Sequence, residues 1–258
     1  MASIKVLFIG DISGESGRNI IKDELPEIKK EYHVDFTVAN AENAAGGKGL
    51  TPKVSEELFD AGINVLTLGN HTFARHEITT ILDDPRILRP ANYPPDVPGS
   101  GYNIYQIEGK KIAVINLMGR VFMNPLDCPF RMADKIIEKL RQETNFMLVD
   151  FHAEITSEKV ALGWYLDGRV SAVIGTHTHV QTADERILPN GTAYLTDAGM
   201  TGPKDGVIGM DREIILRKYL TAMPYKFAIS QTDPMLNACL IEINADTGKS
   251  IKIERIIR

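Results

Sequence analysis

A chain of 258 residues, 43% hydrophobic and 24% charged, has the composition of an ordinary globular protein that can bury a sizeable core. Its net charge of −5 gives no electrostatic reason to expect duplex nucleic acid or an anionic membrane as partner. The N-terminal apolar stretch before Asp11 is shorter than a secretory signal requires, no run reaches the roughly 18 apolar residues of a membrane span, and Cys128 and Cys239 are isolated; together these point to a reduced, cytoplasmic setting.

The chain alternates strand and helix patterns. "IKVLFIG" (4–10) is a continuous apolar run, as expected of a strand covered on both faces. A helix follows over 17–31, with Pro26 as a local complication, and then a second strand over 34–40. Residues 51–62 read as a helix with Thr51 at the N-cap, Pro52 at the first position and Gly62 at the end. A third strand covers 63–69, and the Pro- and Gly-rich 89–101 reads as a loop within one domain spanning 1–258. Residues 102–119 form a predicted hairpin turning at 108–111. A helix over 131–143, a strand over 146–151, a helix over 156–168 capped by Thr156 with Lys159 in the capping-box position, and a strand over 169–175 follow. Then come a hairpin over 186–196 around Asn190-Gly191, a glycine-rich loop, a helix near 211–220 and two C-terminal strands. Parallel strands joined by helices, mixed with hairpins, predict an α/β sandwich of two mixed sheets.

Five apolar runs end alike: at Asp11, at Glu42 and Asn43, at Asn70 and His71, at His152, and at His177 and His179. Each polar group sits just past the C-terminal end of a predicted strand, the edge where α/β sheets bind ligands. Carboxylate, amide oxygen and imidazole are the ligand set of Mn, Fe or Zn sites, and there are too many here for one ion and about enough for two. Taken singly the pieces have plainer readings. Asp11 could cap a helix, Asn43 could serve a turn beside Gly46-Gly47, and "HTH" could be a polar turn. His33 and His76 flank helices and read as solvated.

The ordered set "GNH" (69–71), His152 and "GTHTH" (175–179) resembles the calcineurin-like metallophosphoesterases. Three blocks depart from that superfamily's general pattern: Ser13 stands where it has histidine, Glu42-Asn43 replace its bridging aspartate motif, and Thr72 replaces an acid after His71. With those departures the blocks "GDI", "NAEN", "GNH", "FHAE" and "GTHTH" resemble the YmdB-like bacterial phosphodiesterases over the full length. The resemblance implies an α/β/β/α sandwich of two mixed sheets flanked by helices. It implies one metal held by Asp11, Glu42, Asn43 and His179, and a second held by Glu42, Asn70, His152 and His177, with Glu42 bridging and Asn43 offsetting the missing ligand at Ser13. It implies iron or manganese as cofactor and leaves His71 as the acid beside the leaving group.

The activity so implied is hydrolysis of cyclic nucleotides, 2′,3′-cyclic and also 3′,5′-cyclic ones, by water activated between two metals. A phosphomonoesterase acting on nucleotides or sugar phosphates, and a metal-binding regulatory protein, stay open beside it. The expected partner is a small phosphoester, without duplex nucleic acid or membrane, and homo-oligomer formation stays open. Asp150 and Glu154 are candidates to hold imidazole N–H groups, with surface exposure as the alternative. Lys48 and Arg131 are candidate phosphate contacts. The stretch 197–209 lacks phosphate-loop spacing and reads as a mobile loop or an oligomer contact. Because residues two apart on an extended strand share a face, His177 and His179 are expected to point into one cleft while Thr178 points away.

Overall fold

The computed structural model describes residues 2–107 and 109–258. In chain order the first half forms β1 (Ser3–Ile9), β2 (Asp11–Ile12), α1 (Gly14–Tyr32), β3 (Phe36–Asn40), α2 (Pro52–Asp60), β4 (Val65–Thr67), a short 3₁₀ turn (His76–Thr80), β5 (Ile87–Leu88), β6 (Tyr102–Ile107) and β7 (Lys110–Met118). The second half forms α3 (Pro129–Leu140), β8 (Phe146–His152), α4 (Thr156–Leu166), β9 (Ala172–Thr176), β10 (Arg186–Ile187), β11 (Ala193–Leu195) and β12 (Met200–Pro203). It closes with α5 (Arg212–Thr221), β13 (Pro234–Met235), β14 (Asn237–Asn244) and β15 (Ser250–Ile257).

Two six-stranded mixed sheets carry the fold, in the orders β15-β14-β1-β3-β4-β5 and β10-β11-β9-β8-β7-β6. Strands β1, β3, β4 and β5 run parallel, as do β7, β8, β9 and β11, and the hairpin strands close the edges antiparallel. The two-residue side-chain period sorts each strand between two apolar layers. On β1, Val6 and Phe8 face the second sheet, while Leu7 and Ile9 pack with Ile21, Leu25 and Leu58 of α1 and α2. On β8, Leu148 faces the first sheet, while Met147, Val149 and Phe151 pack with Ile137, Leu140 and Leu162 of α3 and α4. The result is an α/β/β/α sandwich, the predicted class.

The inward-facing rows change character at one level. On β3, Phe36 and Val38 are followed by Asn40; on β4, Val65 by Thr67; on β7, Ile112 and Val114 by Asn116. On β8, Leu148 is followed by Asp150 and His152, and on β9, Ala172 and Ile174 by Thr176. All six polar side chains are buried, so each needs a partner. They find them across the gap between sheets: Asn116 Nδ2 donates to the Leu68 and Leu88 carbonyls, and Asp150 accepts from Asn40 and Thr67. A polar end to an otherwise apolar sandwich is the floor on which the site sits.

Several local expectations are corrected. The helix expected from residue 17 begins at Gly14. Thr51 stands at its N-cap position without a side-chain cap bond. Thr156 is not the cap of α4: Ile155 holds that position, and Lys159 is no capping-box residue but is buried with its ammonium turned inward. The glycine-rich stretch is not simply a loop, because β12 pairs parallel to β2 and antiparallel to β13 in a third sheet. Residues 87–88 add a short strand before the 89–101 loop, which the Arg89 guanidinium pins by donating to the Pro90, Val97 and Pro98 carbonyls. The hairpin of β6 and β7 forms as expected, although part of its turn, residue 108, lies outside the described residues.

Candidate functional site

The eight residues expected at the site converge at one end of the sandwich, from strand ends of all three sheets. Asp11 begins β2, Glu42 and Asn43 follow β3, and Asn70 and His71 follow β4. His152 ends β8, and His177 and His179 follow β9. At the centre is His152 Nε2, with Glu42 Oε1, Asn70 Oδ1 and His177 Nδ1 each 3.0 Å away. Among the described residues, Glu42, His152 and His177 form a group whose ligand-type atoms lie within 4.8 Å of one another. Beside it, the Asn43 amide is 3.2 Å from Glu42 Oε1 and 3.3 Å from His179 Nε2, and Asp11 Oδ1 is 3.9 Å from His179 Nε2. Ser13 lies next to this second group, its backbone bridged to Asn43.

The outer ring nitrogen of each imidazole is tied down. Thr176 gives its hydroxyl proton to Asp150 (2.7 Å), so it accepts from His152 Nδ1–H at 2.9 Å. His177 Nε2 is 2.8 Å from Glu154 Oε2, and His179 Nδ1 is 3.0 Å from the Ile208 carbonyl. A carboxylate and a carbonyl only accept, so both nitrogens carry the proton and the inner nitrogens present lone pairs to the cluster. Asp150 therefore acts through Thr176 and is fully buried, whereas Glu154 is partly exposed and holds its imidazole directly.

The two histidines of "THTH" do share a cleft, but not by strand alternation. Strand β9 ends at Thr176, and His177 (φ 99°) and His179 (φ 66°) both occupy the left-handed region. Such a conformation costs a non-glycine residue about 1–3 kcal/mol and persists only where the surroundings fix it. Here they do: the His177 N–H donates to Asp11 Oδ2 (3.0 Å), and Thr178 donates its N–H (3.1 Å) and hydroxyl (2.6 Å) to Asp197 Oδ2. Thr178 borders the same cleft, but its hydroxyl turns to a buried ion pair in which Lys159 Nζ lies 2.6 Å from the same carboxylate oxygen.

The electrostatics follow from burial and proximity. Burial pushes the Glu42 carboxyl up, but the adjacent His152 imidazole outweighs it and holds the group well below the usual range. Conversely, burial lowers His152 while Glu42 and Asp11 raise it further, so the net direction is up. Asp11 is pushed up to about 6, chiefly by burial, against the pull of His179 and His152. Burial, reinforced by His152, brings His177 down to about 3. Burial also holds His71 below its ordinary value, with Glu42 opposing and Lys48 adding to the effect.

A cavity of about 320 Å³ opens over the cluster, with Glu42, Asn43, His71, His177 and His179 on one side and Ile208, Met210 and Phe227 on the other. Gly69 packs directly against the cluster: a Cβ there would fall 2.3 Å from the His152 ring and 2.5 Å from Glu42 Oε2. Lys48 is exposed next to Gly47 of the cavity wall, while Arg131 is exposed on α3 and is not part of that wall. His33 and His76 are exposed, as expected.

Sequence reasoning missed Gly69, Lys159, Asp197, Ile208 and Phe227. Asp197 had a usable signal: "AYLTD" is another apolar run ending in polar residues past a strand. Lys159, read as a helix-cap residue, had none.

The chain is 51% identical over 255 residues to the 2′,3′-cyclic-nucleotide 2′-phosphodiesterase of Bacillus subtilis, covering 98% of this chain and 97% of that protein. A crystal structure of a phosphatase from Mycoplasma pneumoniae superposes with a TM-score of 0.95 at 39% identity, covering 100% of this chain and 94% of that one. The fold alone is shared with an NAD nucleotidase from Haemophilus influenzae, at a TM-score of 0.65 and 13% identity, covering 100% of this chain and 56% of that one. The profile of the YmdB-like protein family matches residues 7–256, and with that match and the Bacillus relative the chain belongs to this family.

Proposed function

We propose that the chain is a two-metal phosphodiesterase that opens 2′,3′-cyclic nucleotides. The observation that carries this reading is the orientation of the three imidazoles, each anchored at its outer nitrogen and each presenting a lone pair to the carboxylate and amide oxygens. Were His152 protonated at both nitrogens instead, the single N–H on Nε2 would serve at best one of the three acceptors 3.0 Å away, whereas a cation serves all of them. Asp11 Oδ1, buried and without a hydrogen-bond partner among the described residues, is a second mark of a cation position. The donor set therefore fits two ions: Asp11, Glu42, Asn43 and His179 would hold one, and Glu42, Asn70, His152 and His177 the other. Ions held there supply Lewis-acid charge and make water nucleophilic near neutral pH. The high identity to the Bacillus phosphodiesterase supports the cyclic diester as substrate.

The protein's own groups do the remaining work. Asp11 fixes the His177 backbone, Asp150 and Thr176 fix the His152 tautomer, and the Ile208 carbonyl fixes that of His179. The His71 imidazole faces the cavity and would give its proton to the departing 2′ oxygen, leaving a 3′-monophosphate.

The test combines metal analysis with a substrate panel. Protein expressed in medium supplied with iron and manganese should carry two ions per chain and hydrolyse 2′,3′-cyclic nucleotides to 3′-monophosphates. Faster hydrolysis of 5′-nucleotides would replace this reading by a phosphomonoesterase, and an empty site under those conditions would point to a regulatory role. A second expected outcome concerns Gly69. In Gly69→Ala the added methyl displaces His152 and Glu42, and kcat should fall by roughly 10²-fold, the effect of a misplacement near 1 Å. The overpacking should cost about 1–3 kcal/mol in urea unfolding. Wild-type kcat in this variant would show that this position tolerates a side chain.

A further inference from the structure

The cavity over the cluster has two unlike walls. One is the polar group already described; the other is Ile208, Met210 and Phe227, three side chains with no conventional hydrogen-bonding group. Ile208 and Phe227 keep 52% and 45% of their surface exposed, which apolar side chains accept at a cost in water. The wall is nevertheless built rather than loose. Val207 and Met210 exchange backbone hydrogen bonds at 2.8 and 3.0 Å, Asp211 N donates to the Ala228 carbonyl, and Ser230 N donates to the Gly209 carbonyl. These bonds join 207–211 to 228–230 and bring Phe227 to the same cavity as Ile208. Ile208 is also a β-branched residue at φ 47°, a conformation that is a true outlier unless the surroundings impose it. Its carbonyl orients His179, so one residue contributes to both walls. The Lys218 ammonium lies 4.5 Å from the Phe227 ring centroid, a cation–π contact.

We infer that this wall binds the heterocyclic base of the substrate, with Phe227 as the stacking platform and Ile208 packing against it. This rests on the reading of the polar wall as the phosphodiester site. A nucleoside cyclic phosphate carries one charged end and one flat, weakly hydrated ring, and the cavity pairs a cation-binding wall with an apolar aromatic one. Its volume of about 320 Å³ is that of a small-ligand pocket. Because the three side chains of this wall offer no hydrogen-bonding groups, it selects a base by stacking area, which ranks purines above pyrimidines without reading base edges. Phe227 is thus a specificity-determining residue.

The test compares adenosine 2′,3′-cyclic phosphate with ribose 2′,3′-cyclic phosphate, which lacks the base, on the manganese-loaded full chain. In Phe227→Ala the ratio of kcat/KM on the nucleotide to kcat/KM on the base-free compound should fall roughly 5- to 150-fold, the range of one lost base–aromatic stack, and the change should lie in KM. Phe227→Trp should keep the ratio. An unchanged ratio in Phe227→Ala overturns the proposal while leaving the phosphodiesterase reading intact. If the wild-type chain hydrolyses neither compound, that reading fails, and calorimetric binding of adenosine 3′-monophosphate decides the base wall. Weaker binding by the same factor in Phe227→Ala supports it, and equal affinity overturns it.

Discussion

Lys159→Met should lower the free energy of unfolding by about 3–5 kcal/mol, the usual cost of breaking a buried ion pair from one side. At about 2–4 °C per kcal/mol for a chain of this size, Tm should drop by roughly 6–20 °C. Methionine preserves most of the stem but removes the ammonium that lies 2.6 Å from Asp197 Oδ2. Lys159 and Asp197 are both buried, so the carboxylate would be left without a compensating charge. It would keep the Thr178 and Gly199 N–H groups and the Thr178 hydroxyl, which hydrate a charge only partly. Adding Asp197→Asn neutralises the orphaned group, so the double variant should be more stable than the sum of the single losses by about 0.5–3 kcal/mol. Strict additivity in urea titrations would show that the two groups are not coupled. Because Asp197 also holds the turn between His177 and His179, Lys159→Met should bind metal more weakly than the wild type at temperatures where both are folded.

His71→Ala should reduce kcat by ~10²–10⁴-fold, the range for lost acid–base help, while the two ions per chain stay bound. The substitution is selective for a structural reason. The residue touches the carboxylate cluster through its backbone N–H, which donates to Glu42 Oε2 at 2.9 Å and survives replacement by alanine. The imidazole at the cavity is lost, and with it a 3.4 Å contact to the Asn70 amide nitrogen, while the Asn70 oxygen keeps its place 3.0 Å from His152 Nε2. Single-turnover rates with metal content measured on the same sample give the answer: an unchanged kcat removes His71 from the reaction, and loss of metal moves it into the ligand set.

The parts of this molecule legible in the sequence are those written in a repeating pattern. Apolar runs identified the central strands, and the polar residues that end them identified the residues that meet at the site, because strand ends in a sandwich converge. Strands β2, β5, β12 and β13 span two to four residues each, too short for a two-residue period to register. The Lys159–Asp197 pair joins a helix to a strand end 38 residues away, and no local spacing encodes it. His177 and His179 were assigned to a common cleft for a reason that does not hold, since left-handed backbone rather than strand alternation turns them inward. The apolar wall was hidden because Ile208 and Phe227 lie in irregular segments that approach each other only through long-range backbone bonds.

The level at which the inward rows turn from apolar to polar has a consequence for folding. Because side chains alternate, a slip of one residue in β3, β8 or β9 would send Asn40, Asp150 or Thr176 into the layer beneath the helices and expose hydrocarbon to the polar floor. Asp150 reaches across to Thr67 and Asn40 of the opposing sheet, so the two sheets are gauged against each other as well as internally. The buried polar contacts that prepare the site thus double as the alignment marks by which the two halves of the chain find their mutual registration.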